Sequence, residues 1–199
     1  MAFVDSEPAV HDRDAGLGIT AVKVVIAGGF GVGKTTLVGS ISEITPLRTE
    51  ELVTELSEGV DNLTGVEAKS TTTVAMDFGR LTLGPGLVLY LFGTPGQNRF
   101  WFLWDELSSG AIGAVVLADT RRLGDCFPAV DYFEGRGVPF MVGVNCFDGG
   151  QPYTVEEVRE ALDLDPRIPV RLCDVRRRES SKELLVTLVE HVISMTVTT

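Results

Sequence analysis

Two short stretches hold residue types whose spacing points to defined chemistry. The first is Gly28-Gly29-Phe30-Gly31-Val32-Gly33-Lys34-Thr35. It matches the pattern G-x-x-x-x-G-K-S/T and sits between an apolar run and a helical pattern. Glycines let the backbone curl until successive N–H groups point inward, making a cradle for an anion. A helix opening at Lys34 adds partial positive charge there. In such a loop Lys34 reaches the terminal phosphates of a nucleotide, and the Thr35 hydroxyl coordinates magnesium. The second stretch is Asn145-Cys146-Phe147-Asp148, at the end of the apolar run PFMVGVN. The Asp148 carboxylate there is suited to accept two hydrogen bonds from guanine N1–H and its 2-amino group, a pair that adenine does not offer. Taken alone, this stretch also reads as an ordinary strand-ending turn, since Asn and Asp favour turns. The phosphate loop by itself does not choose between ATP and GTP.

These residues need a scaffold, and the apolar patterning predicts one. Val22–Gly28, Ala111–Asp119 and Pro139–Asn145 read as buried strands, and Val170–Asp174 as a short last one. Helical patterns separate them, which is the signature of alternating β and α units around a mostly parallel sheet. Val74–Leu83 and Leu87–Phe92 are joined by Gly84-Pro85-Gly86, too short for anything but an antiparallel hairpin. Asp77 and Gly93 each lie eight residues from Pro85, so a symmetric hairpin without a bulge sets them opposite one another. Lys34–Ile44 is expected to be helical, and Thr154/Glu157 and Ser180/Glu183 each form a capping-box pattern. Leu184, Leu185, Leu188, Val189 and Val192 share one face of the final helix. Pro46–Ser70 is acidic, with a possible helix at Glu50–Glu58 and no firm assignment otherwise. The expectation is a single domain over residues 19–199, a six-stranded mostly parallel sheet with one antiparallel edge strand and helices on both faces, preceded by a tail over residues 1–18.

Composition narrows the function classes. The net charge of −11 opposes nucleic-acid binding, which depends on basic patches. It also opposes attachment to an acidic membrane surface. Cys126, Cys146 and Cys173 cannot all pair within the chain and suit a reducing compartment. With no apolar leader, no lipidation site and no run of transmembrane length, a cytoplasmic protein is expected, its membrane contact made only through partners.

With these residues in place, residues 21–199 resemble the Ras-like small GTPases. Asn145–Asp148 is similar to their N-K-x-D motif, with Cys146 in place of lysine. Thr73-Val74-Ala75-Met76-Asp77-Phe78 resembles switch I, and Gly93-Thr94-Pro95-Gly96-Gln97-Asn98-Arg99-Phe100 resembles switch II, D-T-A-G-Q-x-R-F. More narrowly, TTTVAMDFG, LFGTPGQ, VVLADTRR and NCFDG resemble the GTPases of actinobacterial conservons, the CvnD type, themselves similar to the bacterial polarity GTPase MglA. The resemblance implies GTP or GDP with Mg²⁺ as ligands, held by residues 28–35 together with Thr36, Thr73, Gly96, Asn145 and Asp148, and with Asp174 and Val175 beside the base. It implies that Thr73 binds magnesium and the γ-phosphate, with Thr71 and Thr72 as neighbouring candidates, and that Gln97, with Lys34 and Thr73, serves hydrolysis. It implies as partners a roadblock/LC7-type protein and a sensor-kinase-like membrane protein, with Phe100, Trp101 or Trp104 as contacts, beside the plainer reading of this aromatic stretch as core packing of a helix on the sheet.

Three departures bear on the chemistry. Gly93 stands where the family has an aspartate that steadies magnesium, Phe30 is bulky at a position small in fast-hydrolysing relatives, and Cys146 removes a lysine that covers the base. Asp77 is therefore a candidate metal residue, leaning across the hairpin into the space beside Gly93. The same departures leave open a second class of function, a nucleotide-binding scaffold whose role is partner assembly, and an ATPase remains a third. Arg121 and Arg122 read as a solvated helix start, with a reach to phosphate as the alternative.

Overall fold

The computed structural model describes residues 19–54, 71–96, 102–147 and 153–197. In chain order the elements are β1 (Thr20–Gly28), α1 (Lys34–Ile41), β2 (Leu47–Thr54), β3 (Thr71–Gly84), β4 (Leu87–Gly93), α2 (Phe102–Ser108), β5 (Gly113–Ala118), a 3-10 segment (Thr120–Cys126), α3 (Phe127–Arg136), β6 (Phe140–Asn145), α4 (Val155–Ala161), β7 (Val170–Cys173) and α5 (Arg178–Val197). One sheet holds the strands in the order β2-β3-β4-β1-β5-β6-β7. All neighbouring pairs are parallel except β2–β3 and β3–β4, so β3 is the one strand that runs against the rest.

The central strands are apolar throughout because both faces are covered. Strand periodicity divides them between two cores. Val25 and Ala27 of β1, Val116 of β5 and Val142 of β6 pack beneath α2, α3 and α4 with Trp104, Phe133 and Val158. Val24 and Ile26 of β1, Leu117 of β5 and Met141 of β6 pack on the other face with Leu37 and Val38 of α1 and Leu184 and Leu188 of α5. The result is the expected three-layer α/β/α arrangement.

The six expected strands are present, and a seventh, β2, pairs along the outside of β3 and takes the edge. The possible helix at Glu50–Glu58 is corrected where it is described: Glu50–Thr54 is strand. Its acidic residues suit a helix, but Leu52, Val53 and Thr54 favour an extended edge where a ladder partner is at hand. Helix α1 ends at Ile41 rather than Ile44, since Ser42 turns to φ −57°, ψ 139° and its hydroxyl donates to the Ile44 carbonyl at 2.7 Å. The Thr154/Glu157 capping box is formed in both directions. The Ser180/Glu183 box is not: α5 already begins at Arg178, and the Ser180 hydroxyl accepts from the Asp174 N–H at 3.0 Å. The tail over 1–18, residues 55–70, Gln97–Trp101 and Asp148 lie outside the described residues. Among the described residues no helix is long and apolar enough to cross a membrane.

Candidate functional site

Strand order reverses at β1, where β4 lies on one side and β5 on the other. In an open parallel sheet that is where a ligand crevice opens, beyond the carboxyl ends of the strands. β1 delivers Gly28 to this edge and the loop to Gly33 wraps around it before α1 starts, with the Leu37 N–H donating to the Gly33 carbonyl at 2.8 Å. Gly28 (φ +130°) and Gly33 (φ +111°) take backbone angles that other residues avoid, and neither has room for a side chain. A Cβ at Gly28 would run into the Leu117 carbonyl oxygen, and one at Gly33 would meet Asn145 Nδ2 at 2.8 Å and Val175 Cγ2 at 2.9 Å.

Lys34 is buried at the mouth of this loop. Its ammonium donates to the Gly28 and Gly29 carbonyls at 2.8 and 2.7 Å. Burial pushes its pKa down to about 8, opposed by the nearby Asp77 carboxylate, which raises it. Gly96 closes over the same point, because a Cβ there would lie 2.8 Å from Lys34 Nζ and 2.9 Å from Phe30 Cα. Gly96 and the phosphate-loop lysine are therefore brought together. Thr36 is exposed in the first turn of α1.

The hairpin register falls as the turn symmetry predicts. Asp77 pairs with Gly93, and the irregularity between Thr82 and Gly84 stays next to the turn. Asp77 is 9% exposed, and its Oδ2 accepts from the Thr35 hydroxyl at 2.6 Å. A Cβ at Gly93 would lie 3.0 Å from Asp77 Cβ and 3.2 Å from Oδ2, so the missing side chain is the space that the carboxylate fills. Close by in sequence, the buried Thr94 hydroxyl has no partner among the described residues. A hydroxyl and a carboxylate are hard oxygen donors of the kind magnesium takes. Among the described residues no three His, Cys, Asp or Glu side chains gather around a metal. An ion here would fill its shell with phosphate oxygens and water, as magnesium at nucleotide sites does. The Thr73 backbone pairs with Leu52 in the β2–β3 ladder.

At the base side, Asn145 closes β6 and is 5% exposed. Its Nδ2 donates to the Val32 carbonyl at 2.9 Å, and its Oδ1 accepts from the Val175 N–H at 3.3 Å. One side chain thus ties two loops to the end of β6. Of the pair expected beside the base, Val175 is buried against Gly33, whereas Asp174 turns to Arg176, whose Nε and Nη2 donate to it at 2.8 and 3.0 Å. That hydrogen bonding holds the Asp174 carboxyl below its usual range. Cys173 is not activated: burial pushes its thiol up to about 12, and it donates to the Val144 carbonyl at 3.4 Å.

The two arginines read as a solvated helix start are exposed at the head of the 3-10 segment, as expected, and each also makes a contact at the site. Arg121 grips the buried Asp119 through Nε and Nη2 at 2.9 and 2.8 Å and lies over the Phe147 ring, 3.9 Å from its centroid. Arg122 donates to the Phe30 carbonyl at 2.8 Å. The dipeptide after a strand-ending Asp was the only sequence signal for either. Trp104 follows the core-packing reading of its stretch and not the partner-contact one. It is buried in the core, edge-on to Tyr132 at 5.2 Å and stacked on Phe133 at 6.0 Å.

A family model described as "Conserved hypothetical ATP binding protein" matches residues 26–195. An uncharacterized protein of Methanocaldococcus jannaschii is 28% identical over 172 residues, covering 85% of this chain and 96% of that protein. The fold is similar to the cytosolic domain of the T. maritima FeoB iron transporter in a GDP form, with a TM-score of 0.61, 20% identity and 87% of this chain covered. This chain spans 64% of that domain. The FeoB G-domain from Methanococcus jannaschii gives a TM-score of 0.55 at 15% identity, covering 86% of this chain and 97% of that one.

Proposed function

This chain belongs to the family of conserved hypothetical ATP binding proteins, and we propose that within it the protein binds GTP and GDP with magnesium and hydrolyses GTP slowly, as a switch. The observation that carries this reading is the Asn145 side chain, bonded at once to the phosphate loop at Val32 and to the last-strand loop at Val175. It supports an N-x-x-D turn that faces the same ligand as the phosphate loop, and so a nucleotide whose base lies by Asp148.

In this reading the loop amides and Lys34 hold the phosphates, Thr35 and Asp77 hold the metal with Thr73, and Gln97 orients the attacking water. Magnesium, when bound, neutralises charge on the β- and γ-phosphate oxygens. Relatives without an assisting arginine turn over on the order of 10⁻⁴ s⁻¹. Nucleotide extracted from the purified protein and separated by chromatography is expected to be GDP or GTP. Single-turnover phosphate release from GTP is expected to fall at least about tenfold in Gln97→Ala, the size of effect positioned water activation gives.

Base choice has its own test. Asp148→Asn is expected to weaken GTP binding about tenfold or more and to improve xanthosine triphosphate binding, because the amide donates where xanthine has a carbonyl. Equal affinity of the parent protein for ATP and GTP would sink the guanine assignment. An ATP-binding reading is favoured by the family's description, and the same titration decides it. A scaffold with little turnover is favoured by Gly93 and by Phe30, a bulky residue that is 66% exposed within the phosphate loop. Phosphate release equal to buffer alone would select it.

The LFGTPGQ and NCFDG stretches support placing the switch in a conservon-type signalling system, cytoplasmic and recruited by a roadblock/LC7-type protein to a sensor-kinase-like membrane protein. Nucleotide-dependent co-purification with such a roadblock protein tests this, and a complex that ignores the bound nucleotide counts against it.

A further inference from the structure

We propose that Arg122 is a positioning residue for the phosphate loop: its guanidinium pins the Phe30 carbonyl outward and so turns the Gly31 N–H toward the bound phosphates. This rests on the nucleotide-binding reading and deepens it.

Arg122 stands on a fixed mount. The 3-10 segment leaves β5 at Asp119, whose carboxylate accepts from the Arg121 N–H at 3.0 Å and whose carbonyl accepts from the Arg122 N–H at 2.9 Å. At Arg122 itself the backbone breaks from the helical path, with φ −146° and ψ 52°. From there Nη2 donates to the Phe30 carbonyl at 2.8 Å. Asp125, further along the segment, lies 3.6 Å from Arg122 Nη1 and backs onto Gly29, where an added Cβ would fall 2.6 Å from Asp125 Cβ. At Gly31 an added Cβ would lie 3.6 Å from Arg122 Nη2. The segment thus lines the outer side of Gly29, Phe30 and Gly31 in turn.

Peptide geometry makes this contact consequential. Among the described residues every peptide bond is trans. In a trans peptide the carbonyl of one residue and the N–H of the next point to opposite sides. Holding the Phe30 oxygen on the Arg122 side therefore commits the Gly31 N–H to the other side. Gly31, at φ +72°, continues the curl by which successive amides converge on an anion. A glycine-flanked peptide flips readily, so an anchor outside the loop removes a freedom that binding would otherwise have to remove. Guanidinium suits the task because it stays charged at every working pH and donates in a fixed plane. The Phe30 side chain meanwhile faces solvent, so the contact is with the backbone and not with the ring.

The test uses the full chain and measures GDP and GTP affinity by calorimetry for the parent, Arg122→Ala, Arg122→Gln and Arg122→Lys, with the thermal midpoint of each ligand-free protein. Arg122→Ala is expected to lose about tenfold in affinity for both nucleotides, the worth of one charge-assisted hydrogen bond. Its ligand-free midpoint is expected to hold, since the side chain is half exposed. Arg122→Lys, a charged donor of nearly the same reach, is expected to recover part of the loss, and Arg122→Gln, neutral and about two bonds short of Nη2, little of it. Parent-like affinity in Arg122→Ala overturns the proposal. A loss confined to GTP, with GDP affinity unchanged, also overturns it, because that pattern means a direct charge contact with the γ-phosphate. A fallen midpoint in Arg122→Ala that Lys does not restore shows a merely structural residue and overturns it as well. If the parent binds neither nucleotide, the functional reading itself fails and takes this proposal with it.

Discussion

Lys34→Ala is expected to lower GTP and GDP affinity by about a hundredfold or more, because it removes an ammonium that makes charge-assisted bonds to phosphate in a buried setting. Without ligand the ammonium donates to the carbonyls of Gly28 and Gly29. Those oxygens are a poor substitute for phosphate: they carry partial charge only, and they leave the buried lysine with a depressed pKa of about 8. Binding replaces them with full negative charge. Calorimetry on the variant gives the loss directly, and unchanged affinity would place the nucleotide elsewhere on the molecule.

The same depression predicts a pH dependence with a definite sign. In the unfolded chain Lys34 has its ordinary value of 10.5, and in the ligand-free fold about 8. Between these values the folded protein binds fewer protons than the unfolded one, so ligand-free stability rises with pH across that window and this contribution is lost as pH falls through 8. Nucleotide binding runs the other way. Phosphate raises the lysine value again, so above pH 8 binding takes up a proton. Affinity is expected to fall about tenfold between pH 7 and 9. The slope is expected to vanish in Lys34→Ala. A slope that persists in the variant would belong to another group.

Much of this site was legible because its parts are local. The phosphate loop declares itself within eight residues, Gly28 to Thr35, and the apolar runs on either side fix the strand and helix that carry it. The hairpin register was legible for the same reason, since a short turn leaves strand pairing almost no choice. Strand β2 was not. Its sequence, LRTEELVT, satisfies a helix as well as a strand, and only the open edge of β3 decides. Arg122 was hidden for a related reason. A charged residue after a strand looks solvated in sequence, and its partner, the Phe30 carbonyl, lies 92 residues away and offers a backbone atom that no residue type signals. Asp174 shows the converse. Its place beside Val175 was legible, but Arg176, two residues on, draws its carboxylate away.

Asp77→Ala is expected to raise the magnesium concentration for half-maximal GTP binding on the order of thirtyfold, the worth of a charged acceptor at a cation. GDP binding in EDTA is expected to stay close to the parent value. The Ras-like GTPases that this sequence resembles carry a carboxylate at the end of the strand that is β4 here, where this chain has Gly93. Across the ladder, on the same sheet face, Asp77 fills the vacated space and reaches the hydroxyl of Thr35, the residue expected to bind the ion. If one carboxylate serves in place of the other, moving it back should restore function. Gly93→Asp alone is expected to harm, because its Cβ falls 3.0 Å from Asp77 Cβ and two carboxylates then crowd one site. The double variant Asp77→Gly with Gly93→Asp is expected to recover most of the magnesium response that Asp77→Ala loses. A magnesium titration of Asp77→Ala that overlays the parent would show that the carboxylate holds only the Thr35 hydroxyl. A double variant no better than Asp77→Ala would show that the metal reads the strand of origin and not merely the charge.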